Sequence, residues 1–197
     1  MSRLTDRALG IKTSGNVRIR GQTRLGPAQK HAEDYQPTPP EVLADMLEWL
    51  GLGYPDFTFI DLGAGKGRVV CLASRYHFKK IIGVELVPEL AAQAQNNWNT
   101  FCAQGHDWQR CQNAHIVTED VAGYLFPQDN LVLYLFNPFD APIMRALIHN
   151  LEQTLQTHPR QVWVLYYRPQ HKQLWERSSA FKRHWEADLW AIFSTQR

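Results

Sequence analysis

The chain has 197 residues, 44% hydrophobic and 20% charged, enough for one domain around a full hydrophobic core. No apolar run reaches bilayer-spanning length, and the polar, basic N-terminus has no signal-peptide core, so a cytoplasmic protein without a membrane partner is expected. Three cysteines, Cys71, Cys102 and Cys111, are too few for a disulfide framework. The formal net charge is only +2, yet residues 1–30 hold seven lysines and arginines against Asp6, a balance of 7 − 1 = +6 that leaves 2 − 6 = −4 for the remainder. Such a leader suits a solvated arm, or, less simply, one that attracts an anionic partner such as nucleic acid.

Residues 1–35 show no sustained periodicity and are punctuated by Gly10, Gly15, Gly21 and Gly26-Pro27. This predicts loops with at most short elements, a partly flexible leader or lid ahead of a folded body over 36–197. Tyr35-Gln36-Pro37-Thr38-Pro39-Pro40 is stiff and extended. A helix then begins near Pro39 or Pro40, with Val42, Leu43, Met46, Leu47 and Leu50 on its apolar face, and ends at Gly51 and Gly53. A strand is expected over Phe57–Ile60, a helix over Lys66–His77, a strand over Lys80–Val84 ending at Glu85, and a helix from Pro88 to Ala103. Ala114–Thr118 reads as a third strand and Val121–Phe126 as a short helical turn. Leu131–Phe136 reads as a buried central strand, 141–157 as a helix and Gln161–Tyr167 as a fifth strand. After a short helix near 170–177, Phe181–Glu186 and Leu189–Phe193 are joined by two residues, which implies a hairpin. Alternating β–α units followed by a hairpin predict a mostly parallel α/β sheet, helices on both faces, with an antiparallel pair at one edge.

The stretch Asp61-Leu62-Gly63-Ala64-Gly65-Lys66-Gly67-Arg68 sits at the first strand's carboxyl end, where such sheets hold nucleotide-like cofactors. It does not fit a P-loop, because Gly65-Lys66 is followed by Gly67 and the position five before Gly65 is Ile60. It does not fit the dinucleotide fingerprint either: the third glycine position falls on Arg68, whose bulky charged side chain opposes close helix–strand packing. What remains is Asp-x-Gly-x-Gly-x-Gly, and here the sequence resembles the class I S-adenosylmethionine (SAM) dependent methyltransferases. The order of elements over 36–197 carries the same resemblance. It implies a Rossmann-like three-layer sandwich, a seven-stranded mostly parallel sheet with an antiparallel C-terminal hairpin strand. Gly10-Ile11-Lys12-Thr13-Ser14-Gly15, the Tyr35-x-Pro37-Thr38 lead-in and the Asn137-Pro138-Phe139 turn look like those of small bacterial members whose acceptor is undefined.

The resemblance implies SAM as cofactor, S-adenosylhomocysteine as product, and a set of site residues. Asp61, Gly63, Gly65 and Lys66 form the wall at the turn. Glu85 ends the second strand, where an acid is placed to accept from both ribose hydroxyls. Leu86, or Val87, covers the adenine face, while Asp120, with Glu119 as a substitute, and Val121 meet its edge. Tyr35 covers the sulfonium and Thr38 bonds the cofactor carboxylate. Asn137 and Asp140 are the catalytic candidates: the turn holds a target nitrogen in amino-directed relatives, although this chain has one proline where they have two. Tyr166, Tyr167 and His171 are further candidate bases. A more distant likeness to protein-lysine methyltransferases makes a protein lysine the most concrete acceptor, with a small-molecule nitrogen or oxygen nucleophile open beside it. The rivals are a SAM-binding module without transfer and, disfavoured by Arg68, an NAD-linked oxidoreductase. Cys102, His106, Cys111 and His115 recur at spacings of four, five and four, but no Cys-x-x-Cys occurs and no metal site is expected.

Overall fold

The computed structural model describes residues 2–18 and 34–196; the expected turns at Gly21 and Gly26-Pro27 and the basic residues Arg20, Arg24 and Lys30 lie outside them. The body is a seven-stranded sheet with strands β1 (Phe57–Leu62), β2 (Lys80–Glu85), β3 (Ala114–Thr118), β4 (Asn130–Phe136), β5 (Val162–Tyr167), β6 (Phe181–Glu186) and β7 (Trp190–Thr195). Their spatial order is β3-β2-β1-β4-β5-β7-β6. The first five pair in parallel, and β7 runs antiparallel to both β5 and β6. The chain leaves β1 for β2 on one side and later returns to β4 on the other. That reversal opens a crevice at the carboxyl ends of β1 and β4.

The helices are α1 (Ser2–Leu9), α2 (Pro40–Leu50), α3 (Arg68–Ala73), α4 (Pro88–Ala103), α5 (Ala141–Thr157) and α6 (Lys172–Glu176). Strand residues of alternate parity feed two cores. Phe59, Ile81, Val132 and Leu165 pack with α2, α3 and α4 on one face, and Ile60, Ile82, Leu133 and Val164 with α5 and α6 on the other. Strand β1 is buried along its whole length, Thr58 and Asp61 included, as a central strand of a parallel sheet is. Helix α2 begins with proline in its first turn and stops at Gly51, whose φ is 54°. Helix α3 is shorter than the spacing predicts: Gly67 at φ 79° starts it and Ser74 closes it.

The leader departs most from expectation. Helix α1 occupies Ser2–Leu9, and Leu9 and Ile11 are buried in the core beneath α2 and α4. At about 1.5–3 kcal/mol for each buried aliphatic side chain, those two contacts anchor the segment. Its basic residues Arg3, Arg7, Lys12 and Arg18 remain exposed. No described helix is long and apolar enough to cross a membrane.

Candidate functional site

Strand β1 delivers Asp61, and the glycine turn after it closes onto two other segments. A Cβ on Gly65 would stand 2.2 Å from Cδ2 of Tyr35, and one on Gly63 would stand 2.7 Å from Cβ of Pro138. Both glycines have positive φ, 87° at Gly63 and 54° at Gly65, so backbone conformation and space exclude a side chain together. Tyr35 before α2 and Pro138 after β4 thus become the walls of a cleft over the turn. The cleft is open to solvent on one side and lined by both polar and apolar side chains.

Tyr35, Thr38, Asp61, Gly63, Gly65, Glu85, Leu86, Asp120 and Val121 all line this cleft, together with Arg68, Tyr134, Phe136, Pro138 and Phe139. Glu85 is 5% exposed, and its two carboxylate oxygens accept from the N–H groups of Gly65 at 2.7 Å and Val87 at 2.9 Å. Burial pushes its pKa up, and those N–H groups restrain the rise. Asp61 is 3% exposed, and no hydrogen bond or ion pair to its carboxyl occurs among the described residues. Burial first, and the Glu85 charge second, push it well above the usual carboxylate range. Asp120 caps the short turn Val121–Gly123, accepting from the Ala122 N–H. The Thr38 hydroxyl lies 3.0 Å from the Tyr134 hydroxyl in the cleft wall. Tyr35 donates from its hydroxyl to Thr13 O at 2.7 Å.

Three expected site residues lie outside the lining. Lys66 turns toward the leader: its Nζ donates to Ser14 O and Gly15 O and stands 5.1 Å from the Tyr35 ring centroid. Asn137 follows β4 with φ 41°, and its Oδ1 accepts from the Tyr166 hydroxyl at 3.2 Å. Asp140 caps α5 through the Ile143 N–H. Tyr166 is pushed up to about 12 by burial, so it stays protonated at neutral pH and does not serve there as a base. Of the residues weighed for zinc, His106 stacks on Phe101 with centroids 4.5 Å apart and Cys111 Sγ points to Asn113 O. No cluster of three or more metal-ligating side chains occurs among the described residues.

The residue that sequence reasoning misjudged is Arg68. It is 2% exposed and packed at the start of α3. It does not obstruct packing there, because its guanidinium is fully engaged. It pairs with Asp6 at 2.8 Å, donates from Nε to Thr13 Oγ1 at 2.7 Å, and donates to Thr38 O at 3.3 Å. Asp6 also accepts from the Thr13 and Ser14 N–H groups. Asn97 of α4 holds both N–H and C=O of Lys12. The leader is therefore tied to the cofactor turn at Arg68, Lys66 and Tyr35. The only sign in the sequence was Asp6 itself, the lone acid in a seven-base segment.

A family model described as Histone methylation protein DOT1 matches residues 29–164, well over half of the chain. A Caenorhabditis elegans histone-lysine N-methyltransferase, H3 lysine-79 specific, is 43% identical over 65 residues, 32% of this chain and 7% of that protein. A protein-lysine N-methyltransferase of Saccharolobus islandicus (strain REY15A) is 38% identical over 64 residues, 32% of this chain and 39% of that one. The chain thus spans less than two thirds of either relative. Among solved structures, magnesium protoporphyrin IX methyltransferase of Synechocystis PCC 6803 with bound SAM superimposes at a TM-score of 0.57. It is 14% identical, with 90% of this chain and 86% of that one covered. At that identity the likeness is one of fold.

Proposed function

Because the chain belongs to the family described as Histone methylation protein DOT1, we propose that it is a SAM-dependent methyltransferase acting on the side-chain amine of a protein lysine. The observation that carries this reading is the charge of the cleft. Among the described residues, Asp34, Asp61, Glu85, Glu119 and Asp120 line it against one base, Arg68, itself paired with Asp6. A sulfonium cofactor and a lysine ammonium are both cations and gain from such a field. Asp61, buried beside Glu85, has no cationic partner among the described residues, and the ammonium of SAM would suit it. The same field opposes the pyrophosphate of NAD.

SAM, when bound, supplies a methyl group activated by the sulfonium. Around it, Glu85 would take the ribose hydroxyls, Asp120 and Val121 the adenine edge, and Leu86 an adenine face. Asp61 would face the ammonium, and Tyr35 would close over the glycine turn. Asn137 orients the acceptor nitrogen from the end of β4. A lysine acceptor would have to shed a proton to free its lone pair; Asp140, which caps α5 beside the cleft, and His171 are the candidate bases by sequence.

Two experiments test this. In calorimetric titration SAM and S-adenosylhomocysteine bind and NAD does not; the reverse pattern would sink the reading. Glu85→Ala weakens SAM by about 1–3 kcal/mol, roughly 5- to 150-fold, through lost charged hydrogen bonds. In methyl-labelled SAM with total cell protein, acid hydrolysis yields labelled methyl-lysine. Asn137→Ala lowers that turnover on the order of 10²-fold with SAM affinity unchanged. Label confined to RNA or a small molecule reassigns the acceptor.

A further inference from the structure

The carboxyl edge of the sheet is electrically divided. Over β1, β2 and the end of β3 it presents Asp61, Glu85, Glu119 and Asp120 to the cleft. At the end of β5, beyond β4 and the Asn137 turn, stands the exposed Arg168. Its backbone has φ 49°, a conformation costly for any residue but glycine. That conformation is maintained in part by its own N–H, which donates to Leu189 O at 2.7 Å across to the β6–β7 hairpin. The guanidinium stands 5.6 Å from the ring centroid of Phe136 and 5.6 Å from that of Tyr167. Its hydrogen bond is to Gln36 Oε1 at 3.4 Å, at the limit of such contacts. Gln36 and Phe136 both line the cleft, and Arg168, which touches both, lines the depression adjoining it.

No carboxylate pairs with Arg168 among the described residues. Lys172 and Glu186, in the depression just outside it, are paired with each other, and Arg183 adds a second cation to Glu186. Asp188 lines the same depression without bonding Arg168. A strained backbone and two aromatic rings thus flank a guanidinium fork that no carboxylate bonds among the described residues. That arrangement is pre-organised for bidentate contact with an oxyanion.

We propose that Arg168 is an acceptor subsite that grips the carboxylate of an aspartate or glutamate within a few residues of the methylated lysine. This rests on the protein-lysine reading above. It follows from matching charge to charge: the ammonium enters the acidic half of the edge, over β1, β2 and β3, and a neighbouring carboxylate meets Arg168 over β5.

The test is a degenerate nonapeptide library with a fixed central lysine, labelled with methyl-SAM and sequenced in its methylated fraction. Wild type enriches Asp or Glu at one or more flanking positions, by about tenfold if one charged hydrogen bond is gained. Arg168→Gln loses that enrichment and Arg168→Glu reverses it toward Lys and Arg, both with SAM affinity and thermal midpoint unchanged. Arg168→Lys, which keeps the charge but not the fork, retains part of it. Equal methylation of acidic and non-acidic peptides by wild type overturns the subsite and leaves the lysine reading intact. No labelled peptide, in a protein that binds SAM, overturns both. Labelling of RNA that depends on Arg168 assigns the guanidinium to phosphate and overturns the carboxylate.

Discussion

Asp6→Ala should destabilise the cofactor-free protein by about 3 kcal/mol, a fall in Tm of roughly 6–12 °C. The reason is what it leaves behind. Arg68 is 2% exposed, and without Asp6 its charge stays buried beside the neutral acceptors Thr13 Oγ1 and Thr38 O, with that carboxylate gone. Removing one member of a buried pair costs far more than removing both. The double variant Asp6→Leu/Arg68→Met should therefore recover most of the lost Tm, which a double-mutant cycle by thermal unfolding measures. If the single variant melts like wild type, the latch contributes nothing. SAM affinity should fall in the single variant as well, because the same cluster carries Thr13, whose carbonyl holds the Tyr35 hydroxyl over Gly65. The pH dependence has a definite sign. Burial raises the Asp6 pKa, but donors from Ser14, Thr13 and Arg68 outweigh it and hold the carboxyl below its ordinary 3.8. Its contribution is present above that value and is lost as pH falls through the lower native one, so acid releases the leader.

Much of this architecture was legible because parallel strands buried on both faces leave continuous apolar runs. Leu131–Phe136 and Phe57–Ile60 announce their position in the sheet, and the acids at the strand ends, Asp61 and Glu85, inherit the carboxyl edge from it. Helices with proline starts and glycine stops, such as α2, were bounded by local chemistry. The leader was not legible, because what folds it is non-local. Helix α1 offers the core only Leu9, with Ile11 just beyond it, and its decisive partner Arg68 is 62 residues away in the chain. Lys66 illustrates the same limit. Its place in the glycine turn suggested the cofactor, while its ammonium reaches backbone carbonyls of a segment no local pattern could bring there. Arg68 read as an obstacle only while its socket was unknown.

Asp61→Asn should separate stability from binding in opposite directions. In the cofactor-free protein Asp61 is buried beside Glu85, with no cation among the described residues to compensate it. Its folded pKa is raised above 3.8, so its contribution to stability is complete below 3.8 and is lost as pH rises through the elevated native value. Asparagine is uncharged and nearly the same shape. At neutral pH it should raise the Tm of the free protein, by about 2–4 °C for each kcal/mol of carboxylate burial relieved, and flatten the decline in Tm with pH. The remaining decline belongs to Glu85, whose pKa burial also raises. SAM affinity should drop at least about tenfold, since the ammonium loses its charged partner. SAM should consequently raise the Tm of wild type more than that of the variant at equal concentration. A variant less stable than wild type at neutral pH would mean that the carboxylate is already satisfied within the fold. In that case the cation it was assigned to receive would have to be held elsewhere in the cleft, with Glu119 and Asp34 the acids left to test.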